Sequence, residues 1–465
     1  MNTDSPLTQD EQESSPHRKI IETLVQELMD TTCVLNRLTR FEYAIPAYNP
    51  LKLLDANPIS NRSYWKNRNH SLTIATLGTV LSLTGDNQKE LSDVFQQAIA
   101  IVGDSQASFI GGSSFTGNNG TDQWHEYQAV HYQLPLIEFR EQHGSCSIHI
   151  NLYATSERQW QSQINESIAL LNQLSFPDVN HNIIDPQNQI TSRHDSLTYS
   201  DWQSLVEQTL FEIRKNDLQK VVLAREVTLT MTNPVGIFEL MEHWQDLTPN
   251  CFSFIIEQKD SFFAGCSPER LFCRRQNEIS TESLAGTLPR GKDAETDFLL
   301  GQELLTDPKL SHEHELVSKF ILDAITPLAS SIQTPDVASL YQLDRIQHRY
   351  LPIKALLTSD IGDEQVMRRL HPTPAVGGMP RTDAMSYILQ HEKINRGWYS
   401  GVVGIISAPY SEFTVAIRSA LFHDNLIHCY SGVGLVEGST PASEWQELES
   451  KLGSLFSVLE QDNVK

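Results

Sequence analysis

The sequence predicts an α+β protein built on antiparallel sheets, and three observations carry that expectation. β-type runs follow one another directly and are joined by short polar turns, as at 142–144 (QHG) and 423–425 (HDN). Helical patterns come in blocks, whereas a parallel βαβ chain would alternate them with single strands. Of the 465 residues, 39% are hydrophobic, including 7 Trp, 13 Tyr and 18 Phe, enough for one large core or two interleaved lobes.

Taken in order, residues 1–18 are polar and are expected to be disordered. Residues 19–30 read as an amphipathic helix on Ile20, Ile21, Leu24 and Leu28. Short β-runs follow at 41–45, 72–76, 136–140 and 146–153, with helices expected at 90–102 and 157–174. The stretch 177–199 is polar and broken by Pro177 and Pro186, so it reads as the join between an N-terminal part (19–199) and a C-terminal region (200–465). Beyond it lie a helix at 202–216 on Trp202, Val206, Leu210 and Ile213, and a strand at 220–230. Helical blocks are expected at 296–328, 363–370 and 383–395, and strands at 401–407, 413–422 and 426–431. A glycine-rich turn (SGVG, 431–434) then opens into a helix buried on Trp445, Leu448, Leu452, Leu455 and Leu459.

A formal net charge of −23 argues against nucleic acid or an anionic membrane as partner. An anionic ligand would have to be met by local cations. The six cysteines are scattered without a CxxC pair and read as reduced thiols of a cytoplasmic protein. No uninterrupted apolar run is long enough to span a membrane.

Several residues suggest chemistry. Lys220 opens a strand whose neighbours are apolar on both faces. Desolvation there favours the neutral amine, a usable base, unless the side chain snorkels to water. Glu269, in SPERL (267–271), shares a face with Leu271 and Cys273. It is either a carboxyl kept protonated by burial, suited to a general acid, or a turn carboxylate paired with Arg270 or Arg274. Glu313, in HEHELV (312–317), aligns with Val317 and Phe320 and should face inward. HExxH spacing is absent, so zinc is disfavoured, whereas an inward glutamate with a second carboxylate suits Mg²⁺. The second carboxylate has candidates in Glu444 and Glu447, which with Lys451 form a stripe at i, i+3, i+7; the same stripe fits an ordinary solvated helix face. Gly432 and Gly434 allow close backbone approach and could cradle an anion. Arg418 lies on the face of Thr414, Ala416 and Ala420, small neighbours that leave room for a ligand carboxylate or for a sheet-face ion pair. The loop HPTPAVGG (371–378) either lines a pocket or turns a corner.

Together these stretches resemble the chorismate-utilising enzymes, on their isochorismate synthase branch. The motifs are KVVLAR (220–225), SPERL, LAGT (284–287), HEHELV, HPTPAVGG, RGWYSGVVG (396–404), SEFTVAIRSA (411–420), SGVG and EWQELESK (444–451), in family order. The N-terminal third matches only loosely, for instance at SYWKNR (63–68). The resemblance implies large antiparallel sheets packed in a two-lobed single domain flanked by helices, and a Mg²⁺-dependent isomerase acting on chorismate. It implies that Lys220 activates water for attack at C2 and that Glu269 protonates the departing C4 hydroxyl. Glu313 and Glu447 would hold Mg²⁺, with Glu444 in support. Arg418, Lys451 and the Gly432 backbone would anchor carboxylates, and Tyr399 would assist. Gly286 and Thr287 would belong to the substrate loop, and His348 would be the family's active-site histidine.

Three positions separate the branches. Anthranilate synthases are expected to carry glutamine in place of Lys220 and to need an amidotransferase partner, aminodeoxychorismate synthases a lysine in place of Ala285, and salicylate synthases a threonine in place of Ala375. All three residues here favour isochorismate as product and no glutamine amidotransferase subunit. Salicylate synthase is the alternative. The strand at 411–420 leans towards the menaquinone-type enzymes, leaving siderophore and salicylate biosynthesis open.

Overall fold

The computed structural model describes residues 16–117, 122–177, 188–215, 218–343 and 346–461. Among them are twenty strands and eleven α-helices, and all the strands are linked into one sheet system whose pairings are antiparallel. The fold is therefore α+β, as the runs of adjacent strands predict.

Alternation along the strands feeds two cores. Trp65, Phe252, Phe254, Phe263, Trp398 and Tyr430 belong to an aromatic core between strands. Ile255, Ala264 and Cys429, on the opposite faces of the strands that carry Phe254, Phe263 and Tyr430, join Val221 and Leu223 in the larger core that also takes the buried residues of the helices. The helix Pro441–Gln461 buries Leu448, Leu452, Leu455 and Leu459, the expected stripe. No helix among the described residues is long and apolar enough to cross a membrane.

The N-terminal part is woven into the same sheet. Its strand Ser63–Lys66 pairs with Phe252–Gln258, and Phe109–Ser113 pairs with Val402–Ile406. The expected hairpin at 142–144 joins Val130–Gln142 to Ser145–Leu152, with His143 and Gly144 at positive φ.

Five details differ from the sequence reading, the first being that SGVG (431–434) is not a turn but the end of the strand Leu426–Leu435, paired with Lys220–Met231. The first helix begins at Pro16, so part of the segment expected to be disordered is helical, while 1–15 lie outside the described residues. The polar stretch 177–199 contains a strand, Ile190–Asp195, along Lys220–Met231; a solvent-facing strand shows no apolar alternation. Its residues 178–187 lie outside the described ones. The block 296–328 is broken at Asp307-Pro308, where Asp307 Oδ1 accepts from Leu310 N at 2.8 Å and starts a second helix. Finally, 413–422 is two strands, Tyr410–Val415 and Ser419–His423. The chain changes partners between them, and Arg418 sits in the turn at φ 52°. Arg418 therefore does not share a strand face with Thr414 and Ala420.

Candidate active site

The two catalytic candidates come from strand ends. Lys220 begins Lys220–Met231, is 1% exposed, and donates from Nζ to Glu313 Oε1 at 2.9 Å. The adjacent strand leaves room for it only because residue 434 is glycine, since a Cβ there would stand 2.6 Å from Lys220 Cε. Gly434 thus makes room for the lysine.

Glu269 lies between the strands Ser261–Ser267 and Arg270–Arg275 and is buried. Its main-chain carbonyl accepts from Thr414 Oγ1 at 2.7 Å and Val415 N at 3.1 Å. Burial, reinforced by nearby Glu282, pushes its carboxyl up to about 8 against the opposing pull of Lys220, Lys451 and the Thr373 hydroxyl. The group is protonated at neutral pH, as a general acid must be.

Two carboxylates face the same cavity from different helices. Glu313 comes from Pro308–Ile325 and Glu447 from Pro441–Gln461. Glu447 bonds Lys451 Nζ at 2.8 Å, one helical turn on. Burial would raise its carboxyl, but Lys451 and Arg418 hold it below the usual carboxylate range. Glu444, one turn earlier, does not line the cavity. It is buried against Lys309 at 3.0 Å, and burial pushes its carboxyl up. No group of three or more His, Cys, Asp or Glu stands together as a metal site among the described residues. Two cavity carboxylates with open space beside them fit Mg²⁺, which completes its shell with water and ligand oxygens.

Cations and hydrogen-bonding groups complete the walls. Arg418 Nη1 donates to Lys451 O at 2.7 Å and pairs with no carboxylate among the described residues. Its charge is left for a ligand. Lys451 Nζ also donates to Gly432 O at 2.9 Å. Val222 and Ala224 turn their N–H groups to Gly377 O and Glu392 Oε1, so the opposed Gly434 and Gly432 present their backbone groups to the other edge. The LAGT strand bulges between Ala285 and Thr287, with Gly286 at φ 75°. Thr287 Oγ1 lies 2.9 Å from His348 Nδ1, leaving His348 Nε2 buried without a partner among the described residues. Burial, with Arg418 and Lys451, lowers that imidazole to about 3 and keeps it neutral. Tyr399 stacks on Tyr430 at 5.2 Å, joining the aromatic core to the cavity.

The loop 371–378 does line the pocket through Ala375 and Val376, and Gly378–Met379 pairs with Lys220–Val221. The cavity is an open cleft of about 720 Å³, counted with the solvent space at its mouth. It brings together Lys220, Glu269, Gly286, Thr287, Glu313, His348, Ala375, Tyr399, Arg418, Gly432, Glu447 and Lys451, all the sequence-proposed residues except Glu444.

Sequence reasoning missed the ties beneath this surface. Arg396, the first residue of RGWYSG, donates to Val376 O at 2.9 Å and Val222 O at 2.8 Å and is paired with Glu392. It binds three of the walls together. Thr373, inside HPTP, hydrogen-bonds Glu269. The signal for both was membership of a quoted motif, without any periodicity to assign a role.

Comparison with known proteins agrees over nearly the whole chain. The family model for chorismate binding enzymes matches residues 23–460. The isochorismate synthase MenF of Bacillus subtilis is 29% identical over 443 residues, covering 91% of each chain. The salicylate biosynthesis isochorismate synthase of Pseudomonas aeruginosa is 39% identical over 262 residues, 56% of this chain and 54% of its own. The solved structure of MenF, the menaquinone-specific isochorismate synthase of Escherichia coli, superposes with a TM-score of 0.85 at 26% identity, covering 96% of this chain and all of that one. With fold, cavity and sequence in agreement, the chain belongs to the chorismate-binding enzymes, and within them to the isochorismate synthases.

Proposed function

We propose that this isomerase interconverts chorismate and isochorismate with Lys220 as base and Glu269 as acid. The carrying observation is one cavity that holds a desolvated lysine, a protonated buried carboxyl and two unpaired-to-each-other carboxylates beside Arg418 and Lys451. Lys220 takes a proton from water as its oxygen bonds C2 of the ring. Both ring double bonds shift along the ring, the C4–O bond breaks, and Glu269 gives its proton to the leaving hydroxyl, which departs as water. Atoms balance, since one water enters and one leaves. The reverse direction uses the same groups with roles exchanged.

Glu313 and Glu447 would hold Mg²⁺, with Glu444 supporting Glu447 from behind. When bound, the ion supplies positive charge that neutralises the ring carboxylate. Arg418 takes a carboxylate through its unpaired guanidinium, with Tyr399 beside it. Lys451 bridges Glu447 and the Gly432 backbone and so places both. His348, neutral and with Nε2 open, donates or accepts a hydrogen bond from the ring substituents, and Gly286 and Thr287 shape the wall it stands on. An acidic protein can thus bind a dianion because its cations are local.

The enzyme acts in the cytoplasm, without a glutamine amidotransferase subunit, nucleic acid or membrane as partner, and its product serves menaquinone biosynthesis. The test is incubation of the pure protein with chorismate and Mg²⁺, with the product identified by chromatography. Isochorismate without pyruvate is expected, because the Ala375 methyl offers the substrate no hydrogen bond. Stoichiometric pyruvate and salicylate would make the protein a salicylate synthase. Glu313→Gln and Glu447→Gln should each lose Mg²⁺-dependent turnover, while Glu444→Gln, facing Lys309, should lose much less. Equal losses at 444 and 447 would bring Glu444 into the metal set.

A further inference from the structure

We infer that Arg68 and Glu282 form a buried clamp that positions Glu269, so that the N-terminal part of the chain takes part in catalysis. Arg68 follows Ser63–Lys66, the strand laid along Phe252–Gln258. Phe252–Gln258 in turn pairs with Ser261–Ser267, which leads directly into Glu269. Arg68 meets Glu282 as a two-pronged pair, Nη1 to Oε1 at 2.6 Å and Nη2 to Oε2 at 2.7 Å. The two side chains are 9% and 1% exposed, so the pair is dry.

Each partner then grips one side of the acid. Arg68 Nη1 donates to Pro268 O at 2.8 Å, and Glu282 Oε1 accepts from Arg270 N at 3.1 Å. The backbone immediately before and after Glu269 is thus held by one ion pair, while Thr414 and Val415 hold the Glu269 carbonyl itself. Two prongs plus a carbonyl contact require a planar guanidinium, which lysine lacks. Arg68 is fixed in turn over the ring of Tyr341 at 4.9 Å.

The clamp is also electrostatic. The groups that act on the Glu269 carboxyl are Glu282, Lys220, Lys451 and the Thr373 hydroxyl, and Arg270 beside it is paired with Glu412. Glu282 favours the protonated acid, and Arg68 limits that influence by pairing with it.

This inference rests on Glu269 being the acid, and the experiment separates the two claims. The pH dependence of kcat is measured for wild type, Glu269→Gln, Arg68→Met, Arg68→Lys and Glu282→Gln, with circular dichroism to confirm folding. Glu282→Gln, which keeps an acceptor for Arg68, should move the alkaline limb to lower pH. Arg68→Met, which strips the counter-charge from Glu282, should move it to higher pH. Arg68→Lys should keep the limb near its wild-type position and lower kcat by about tenfold or more through lost placement, with KM within about threefold. Should Arg68→Met not fold, Glu282→Gln decides alone. An inactive Glu269→Gln together with an unshifted limb in Glu282→Gln overturns the clamp. A fully active Glu269→Gln overturns the assignment of the acid, and the clamp with it.

Discussion

Two buried glutamates, one in each part of the chain, answer the same burial in opposite ways. Glu138, on Val130–Gln142 in the N-terminal part, is 0% exposed. Arg40 Nη1 reaches it at 3.0 Å and Arg140 Nε at 2.8 Å, and each arginine has further acceptors at Asn151, Gln106 O and Ser108. Burial works to protonate Glu138, but the two guanidinium groups overcome it and hold the carboxyl well below the usual range. Glu269 is almost as buried, yet Lys220 and Lys451 act on it less than burial does and its largest charged influence is another carboxylate, Glu282, so the carboxyl rises to about 8. Depth alone does not set the charge of a carboxyl; the partners within hydrogen-bond reach do. The paired glutamate is a structural anion. The one denied a cationic partner keeps a proton to give away.

The contrast breaks most visibly at Glu269. Glu269→Gln should lower turnover by about 10²–10⁴-fold, the usual worth of a positioned acid. It should also change stability in a pH-dependent way. The folded-state value near 8 lies above the ordinary 4.5, so the wild type loses stability as pH rises through that window, and the glutamine variant does not. The variant should therefore gain on wild type between pH 5 and 9 in thermal melts. A constant difference across that range would show that the carboxyl is not held neutral.

Glu138→Gln should do the reverse, with little role in chemistry and a large one in stability. It leaves two buried arginines facing an uncharged amide, at a cost of about 3–5 kcal/mol in denaturant unfolding at neutral pH. Because the folded carboxyl is depressed, that stabilisation is present at neutral pH and lost as pH falls into the acid range, so the gap to wild type should close there. A variant as stable as wild type at pH 7 would mean that the pair is not worth its desolvation.

The smallest effect sharpens the catalytic side. Gly434→Ala places a methyl 2.6 Å from Lys220 Cε, while Gly432→Ala places one 3.0 Å from the Tyr399 hydroxyl. The first should displace the base and lower kcat by about tenfold, ~1.4 kcal/mol in barrier, with KM little changed. The second should act mainly on KM, through Tyr399, which lines the cavity. Equal effects on kcat would show that Gly434 does not serve the lysine in particular.

Much of this was readable along the chain, because period and turn chemistry are local. The strand at Lys220, the hairpins at 142–144 and 423–425, and the leucine stripe of the last helix all declare themselves within about ten residues. The residues named from the motifs, Glu444 excepted, line one cavity, though they reach it from strands, helices and turns far apart in the chain. Ile190–Asp195 escaped because an exposed strand needs no apolar alternation, and the break before Arg418 escaped because the pattern continues while the pairing partners change.

The sequence by itself determined the fold class, the chemical family and the set of residues available to the site. Only the tertiary structure decided what those residues became. Glu444 and Glu447 share one helix stripe, yet one turns to Lys309 and the other to the cavity. Glu138 and Glu269 are each glutamates in β-rich stretches, yet one meets two arginines and the other, among the described residues, none. Arg68 reaches Pro268 and Glu282 across 200 and 214 residues of chain. Periodicity reports which side of an element is buried. Charge depends on which groups burial brings within about 3 Å, and those come from elements that only the folded sheet sets side by side.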